Sequence, residues 1–200
     1  MINIHHFLTK LKQNNRMKLI VGLGNPGIEY EKTRHNVGFL LIDRLCERLN
    51  VSLDKNKCKA NYGIFHNKQE KIILAKPLTY MNLSGQAVKS LMKYYDLDIE
   101  DIIIIHDDLD LPLGKLRLRK SGSSAGQKGM GNIIDLLNTK DINRIRIGIS
   151  NDKTKDTKDY VLGRFNKQES KIIDEAIEKA SDAIIYSFDH NFDEVMSRFN

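Results

Sequence analysis

The chain carries only two cysteines, Cys46 and Cys58, in 200 residues. Two thiols give no disulfide framework, and with no cluster of Cys and His at ligand spacing they give no zinc site. A reducing cytoplasm is the simplest home for such a chain. No apolar run approaches the roughly 18 to 20 residues that a membrane span needs, which argues against a membrane protein. The opening stretch MINIHHFLTKLKQNNR has neither an apolar core nor a small-residue cleavage site, so it does not read as a signal peptide. It precedes the first expected strand, and Met17 offers an alternative start. Residues 1–16 are therefore read as a dispensable N-terminal extension, open to disorder, and 17–200 as the domain. No internal repeat, low-complexity tract or linker interrupts that domain.

What is present is ordinary for a globular protein: 40% hydrophobic and 29% charged residues. The balance of 32 Lys and Arg against 26 Asp and Glu gives a net charge of +6 and a pI near 9.2. A basic balance favours a polyanionic partner, nucleic acid before membrane.

Hydrophobic spacing predicts the elements. Lys18 to Gly22 reads as a buried strand. Gly38 to Leu49 reads as an amphipathic helix, with Phe39, Ile42, Leu45, Cys46 and Leu49 on its apolar stripe. Ala60 to His66 and Lys71 to Ala75 read as a hairpin. Ser84 reads as the N-cap of a helix that carries Ala87, Val88, Leu91, Met92 and Tyr95 on one face. DIIIIHDD is a strand covered on both faces. Lys115 to Arg119 and Arg144 to Ile149 are two more strands, with a helix from about Lys128 to Leu137 between them. Asn166 to Ser187 is a long helix, and a short one follows within Asp189 to Phe199. Strands alternating with helices predict one α/β domain, a mixed sheet flanked by helices.

Two motifs invite functional readings that their contexts do not support. VGLGNPG, from Val21 to Gly27, has the G-x-G-x-x-G spacing of a dinucleotide site. That site needs its third glycine inside a helix packed on the strand. Here Pro26 and a polar stretch follow, and the acidic residue at the expected distance, Asp43, lies within a helix. The glycines are instead expected to shape a tight loop presenting Asn25 at the carboxyl end of the first strand. GSSAG, from Gly122 to Gly126, matches G-x-S-x-G and makes Ser124 a candidate esterase nucleophile. The only later histidine is His190, whose polar neighbours predict a solvated loop.

Other polar groups converge on one sheet end. Asn25 and His35 follow the first strand, Asp107 follows IIIIH, and Asn82 opens a helix. A histidine can accept a proton near neutral pH, a carboxylate on its second nitrogen would fix its tautomer, and asparagine amides can donate to a developing oxyanion. That set suits activation of water by a general base.

KLIVGLGNPGIEYEKTRHNVGF, KPLTYMNLSGQAV, IIIIHDDLDLPLGKLRLR and RIRIGI with DYVLGRF resemble the bacterial peptidyl-tRNA hydrolases, from about Met17 to the C-terminus. The resemblance implies a monomeric, cytoplasmic, metal-free α/β protein with a twisted mixed β-sheet and no cofactor. Its implied activity is cleavage of the ester between a peptide and the 3′ ribose of its tRNA, which recycles tRNA from aborted translation. It also implies site roles: His35 as general base, Asp107 orienting it, and Asn25 and Asn82 positioning substrate and water. Tyr30 is implied near the tRNA 3′ end, Met81 in the wall of the peptide groove, and Arg119 and Arg146 on the acceptor stem. One departure stands out. Where many members have GGHNG, this chain has AGQKG, with Gln127 and Lys128 in the His and Asn places. Lys128 can donate to a carbonyl or phosphate but cannot accept.

A period of two puts Lys115, Arg117 and Arg119 on one strand face, and Arg144 and Arg146 on one face of the other. If the strands are neighbours, their arginines form a basic patch that grips phosphate without reading sequence. The alternatives to the hydrolase are a non-catalytic RNA-binding protein on the same scaffold, or a serine esterase using Ser124.

Overall fold

Leu19, Ile20 and Val21 are fully buried and alternate between two separate apolar cores, so the first strand, β1 (Met17–Gly22), must lie inside a sheet covered on both faces. In the computed structural model, which describes residues 17–68, 70–151, 154 and 156–200, that is what forms. The expected extension, 1–16, lies outside the described residues. The other strands are β2 (Lys55–Lys57), β3 (Ala60–Asn67), β4 (Glu70–Pro77), β5 (Ile102–Asp108), β6 (Leu116–Arg119) and β7 (Asn143–Gly148). They make one seven-stranded mixed sheet in the order β2-β3-β4-β1-β5-β7-β6. The central strands β4, β1, β5 and β7 run parallel, while β2, β3 and β6 pair antiparallel at the margins.

The two faces are filled by different helices. On one side α1 (Val37–Leu49) and α5 (Lys167–Tyr186) pack with α4 (Thr157–Leu162) and α6 (Phe192–Phe199); on the other lie α2 (Ser84–Tyr95) and α3 (Lys128–Leu137). Strand β5 explains its four isoleucines: Ile103 and Ile105 enter the first core, Ile102 and Ile104 the second. Each such burial is worth about 2 kcal/mol, so the strand is held from both sides.

The connections locate the crevice. From β1 the chain crosses by α1 to β4 on one flank, then returns by α2 to β5 on the other flank, then crosses by α3 to β7. Strands β1 and β5 are therefore neighbours whose connections leave in opposite directions. Open α/β sheets place ligands at such a divide, outside the carboxyl ends of the strands.

The glycine motif serves this geometry. A Cβ at Gly22 would lie 2.1 Å from the Gly38 carbonyl oxygen, and one at Gly38 would lie 2.5 Å from both the nitrogen and oxygen of Leu23. Backbone touches backbone where α1 meets β1, and no side chain fits between.

Four details differ from the sequence expectations. Ser84 is not a cap: its hydroxyl donates to the Met81 carbonyl at 2.8 Å, because a 3-10 turn over Met81–Leu83 already leads into α2. His190 lies in a loop between exposed Asp189 and Asn191 but is itself half-buried, its ring stacked on Tyr186 with centroids 3.6 Å apart. Strand β2 and helix α4 were not anticipated. Lys55–Lys57 is an exposed edge without apolar alternation, and Thr157–Leu162 is a short helix started by Asp156 as N-cap. Cys46 is partly buried against the first core, and burial pushes its thiol up to about 11. Among the described residues no helix is long and apolar enough to cross a membrane.

Candidate active site

The loop after β1, the 3-10 turn Arg34–Asn36 that precedes α1, the turn after β4, the end of β5 and the start of α3 meet at this crevice. At its centre His35 Nδ1 lies 2.8 Å from Asp107 Oδ2. The Asp107 side chain is 3% exposed and that of His35 12%, so the pair has a dry inner partner and an outer partner that solvent reaches. An ionised carboxylate only accepts, so Nδ1 carries the proton and donates. The neutral ring then leaves Nε2 as an acceptor.

The residues beside His35 hold it in place. Arg34 is buried, donates to the Arg164 carbonyl at 2.6 Å and to both Glu169 oxygens at 3.1 and 2.8 Å, and lies over the rings of Tyr160 and Phe165. Asn36 accepts from the Asn25 N–H and donates to the Asn25 carbonyl, both at 2.9 Å. The short turn carrying the histidine is thus pinned at both ends, through a bidentate ion pair on one side and a reciprocal amide pair on the other.

Asn25 is buried, and its side-chain oxygen accepts from the Met81 N–H at 2.8 Å. That bond fixes which end of the amide is oxygen and leaves the NH2 end uncommitted to Met81. Met81 is buried, Asn82 beside it is exposed, and Tyr30 is half-buried in the turn before Thr33. Asn25 meets Met81 directly and His35 meets Asp107, and the two pairs are joined through Gln127 and Asn36. Asn82 lies on the same turn as Met81, without a bond to the other three.

Of the two unusual residues, Lys128 is exposed as the first residue of α3, whereas Gln127 is buried. Gln127 Nε2 donates to Asp107 Oδ1 at 2.9 Å and lies 3.1 Å from Met81 Sδ, while its Oε1 accepts from the Met130 N–H at 2.7 Å. Sequence reasoning marked Gln127 only as a departure from the family motif, with no role in the site, and overlooked Asn36. The available signals were a polar residue directly before a helix, which marks a cap, and a polar residue directly after the candidate base.

Strands β6 and β7 are neighbours, with Arg117 opposite Arg146 and Arg119 opposite Arg144. Register also sets Arg146 beside His106, so this arginine face adjoins the crevice. The expected patch needs one correction. Arg144 is buried and donates to the carbonyls of Ile142, Gly122, Ser123 and Lys140, so it ties down a loop and offers nothing to a ligand. Burial, with Arg146 nearby, brings its pKa down to about 10, which still leaves it charged at neutral pH. Arg146 is part-buried against Asp108, and Arg119 is exposed. The open arginines of that face are therefore Arg119, half-buried Arg117 and the outer edge of Arg146, with exposed Lys115 beside them.

Ser124 follows β6 and precedes α3, as an elbow serine would, but lacks the strained backbone of a nucleophile elbow. Positive φ falls on Gly122, Ala125 and Gly126, not on the serine, and its hydroxyl lies beside Gly131 of α3. His106, the neighbour of Asp107, is fully buried. Its Nδ1 donates to the Asp107 carbonyl at 2.7 Å, its Nε2 has no partner among the described residues, and burial pulls its pKa down.

A family model described as peptidyl-tRNA hydrolase matches residues 19–200. The peptidyl-tRNA hydrolase of Bacillus cytotoxicus is 52% identical over 185 residues, 92% of this chain and 100% of its own length. That of Caldanaerobacter subterraneus subsp. tengcongensis is 48% identical over 184 residues, with the same coverage. The crystal structure of peptidyl-tRNA hydrolase from Acinetobacter baumannii superposes with a TM-score of 0.87 at 34% identity, over 92% of this chain and 94% of that one.

Proposed function

The chain belongs to the peptidyl-tRNA hydrolase family, and from that premise we propose that His35 is the general base of its ester hydrolysis. The observation that carries this reading is the 2.8 Å contact between His35 Nδ1 and Asp107 Oδ2. Nε2 of His35 takes a proton from water as the oxygen attacks the carbonyl carbon of the ester joining the peptide to the 3′ ribose. The imidazolium so formed is stabilised by Asp107, which stays ionised. Negative charge develops on the former carbonyl oxygen, where the Asn25 and Asn82 amides donate to it. The bond to the ribose oxygen then breaks. That oxygen takes the proton from the imidazolium, releasing the peptide acid and a tRNA with a free 3′ hydroxyl. The base is regenerated, and no covalent enzyme intermediate forms.

Around this centre, Tyr30 meets the 3′ end and Met81 lines the wall for the peptide. Lys128, exposed at the start of α3, offers a cation to the 3′ end, and Arg119 and Arg146 receive the acceptor-stem phosphates. The protein acts as a monomer in the cytoplasm and recycles tRNA from aborted translation. A non-catalytic RNA-binding role would keep the arginine face but would not need the His35–Asp107 pair.

The test is release of free tRNA from purified peptidyl-tRNA, with aminoacyl-tRNA as control, by wild type and His35→Ala. Cleavage of the peptidyl substrate alone, lost in the variant while tRNA binding persists, is expected. A folded wild type that binds tRNA without cleaving it would overturn the assignment. Activity that survives His35→Ala but not Ser124→Ala would put the serine in its place.

A further inference from the structure

Asp107 and Asp108 are adjacent, buried and satisfied in opposite ways. Asp108 meets the Arg146 guanidinium, which neutralises it. Asp107 receives a neutral amide: Gln127 donates to Oδ1 at 2.9 Å, leaving Oδ2 to His35. An uncharged donor fills the carboxylate's second oxygen without cancelling its charge, so the charge stays available to the imidazole. The orientation of the amide is settled by its two partners. Oε1 must face the Met130 N–H and Nε2 must face a carboxylate that only accepts, so the flipped amide would lose both bonds.

Gln127 also closes a ring. Its amide touches Met81, the Met81 N–H bonds Asn25, Asn25 and Asn36 bond each other, and Asn36 follows His35, whose partner is Asp107. We infer that Gln127 is a positioning residue for the hydrolysis, holding Asp107 in the orientation and charge state that fix His35, and that the chemistry depends on its Nε2 donor more than on its role as helix cap. This rests on the assignment of His35 and Asp107 proposed above.

The two roles of Gln127 can be separated. Serine caps helices well but is too short to reach Asp107, so Gln127→Ser keeps the Met130 N–H satisfied and removes the donor. Gln127→His restores an N–H donor. Hydrolysis of peptidyl-tRNA is measured against pH for wild type, both variants and His35→Ala, with thermal melts alongside. Gln127→Ser is expected to melt like wild type and to lose about 10- to 100-fold, mostly in kcat, by analogy with groups that orient a metal-bound histidine. Its acidic limb should move to higher pH, because a carboxylate without its second donor holds a proton on the imidazole more tightly. Gln127→His should recover much of the rate and return the limb. If Gln127→Ser does not fold, Gln127→Asn, also a capping residue and one methylene too short, carries the same comparison. A folded variant without the donor that keeps wild-type kcat and an unmoved limb overturns the inference. If His35→Ala itself retains activity, the assignment of the base falls instead, and the two failures are told apart by that control.

Discussion

Asp107 Oδ2 stands 2.8 Å from His35 Nδ1, and this contact gives Nδ1 the ring proton and leaves Nε2, the nitrogen proposed as the base, to accept. Asp107→Asn reverses the demand. An amide NH2 in the same place asks Nδ1 to accept, moves the ring proton to Nε2 and removes the base. We expect kcat to fall by about 10²- to 10⁴-fold, the range of general-base contributions, with tRNA binding retained. Steady-state hydrolysis beside a tRNA filter-binding assay checks this, and near-normal kcat in the asparagine variant would sink it.

Two arginines opposite one another across β6 and β7 should respond differently to removal. Arg119→Ala should weaken tRNA binding and flatten the plot of log affinity against log salt by about one unit of slope, as for one lost phosphate contact. Arg144→Met should leave that slope intact and cost about 3 kcal/mol of stability, because four carbonyls lose their donor. Salt titrations and urea melts on both variants distinguish the exposed cation from the interior one. An Arg144→Met protein as stable as wild type would contradict the second half.

Where β1 meets α1, added volume has nowhere to go. A Cβ at Gly38 would lie 2.5 Å from two backbone atoms of Leu23 and 2.7 Å from the Ile105 carbonyl oxygen. None of these can rotate away, so Gly38→Ala should sit at the upper end of overpacking costs, about 3 kcal/mol. Chemical denaturation measures it. A loss below about 1 kcal/mol would mean that the helix shifts freely on the strand.

His106 predicts how stability depends on pH. Burial pulls its pKa below the ordinary value, against the opposing pull of the bond to the Asp107 carbonyl and of the two neighbouring carboxylates. In the unfolded chain the imidazole takes a proton near pH 6.5, which the native ring refuses. The unfolded state therefore binds more protons, and stability falls as pH drops through that value. The difference in urea midpoint between pH 7 and pH 5 should be smaller for His106→Leu than for wild type. An equal difference in both proteins would remove His106 from the account.

Much of the fold could be read from periodicity. The helix from Lys128 to Leu137 coincides with its expectation, and the four isoleucines of β5 signalled cover on both faces. Local pattern does not reveal contacts that the chain makes with itself at long range. Arg144 has the alternation of a half-exposed strand, yet the loop at Gly122 and Ser123 folds over it, and its period of two cannot announce that cover. Gln127 stands in the sequence as a departure from the family motif; that it caps α3 and bonds Asp107, 20 residues away, shows only in the fold. Edge strand β2 is three exposed residues, too short and too polar to stand out.

The placement of β1 bears on how the molecule is made. The first described strand lies in the centre of the sheet, between β4 and β5, so its apolar residues have no lateral partner until Glu70 and then Ile102 have been synthesised. The crevice waits longer still, since Gln127 is translated after every other member of its ring. A nascent chain released before Ile102 leaves one edge of that hydrophobic strand bare, the kind of species that aggregates or engages chaperones. Catalytic competence should therefore appear late and abruptly with chain length, and no amino-terminal fragment should carry a graded share of it.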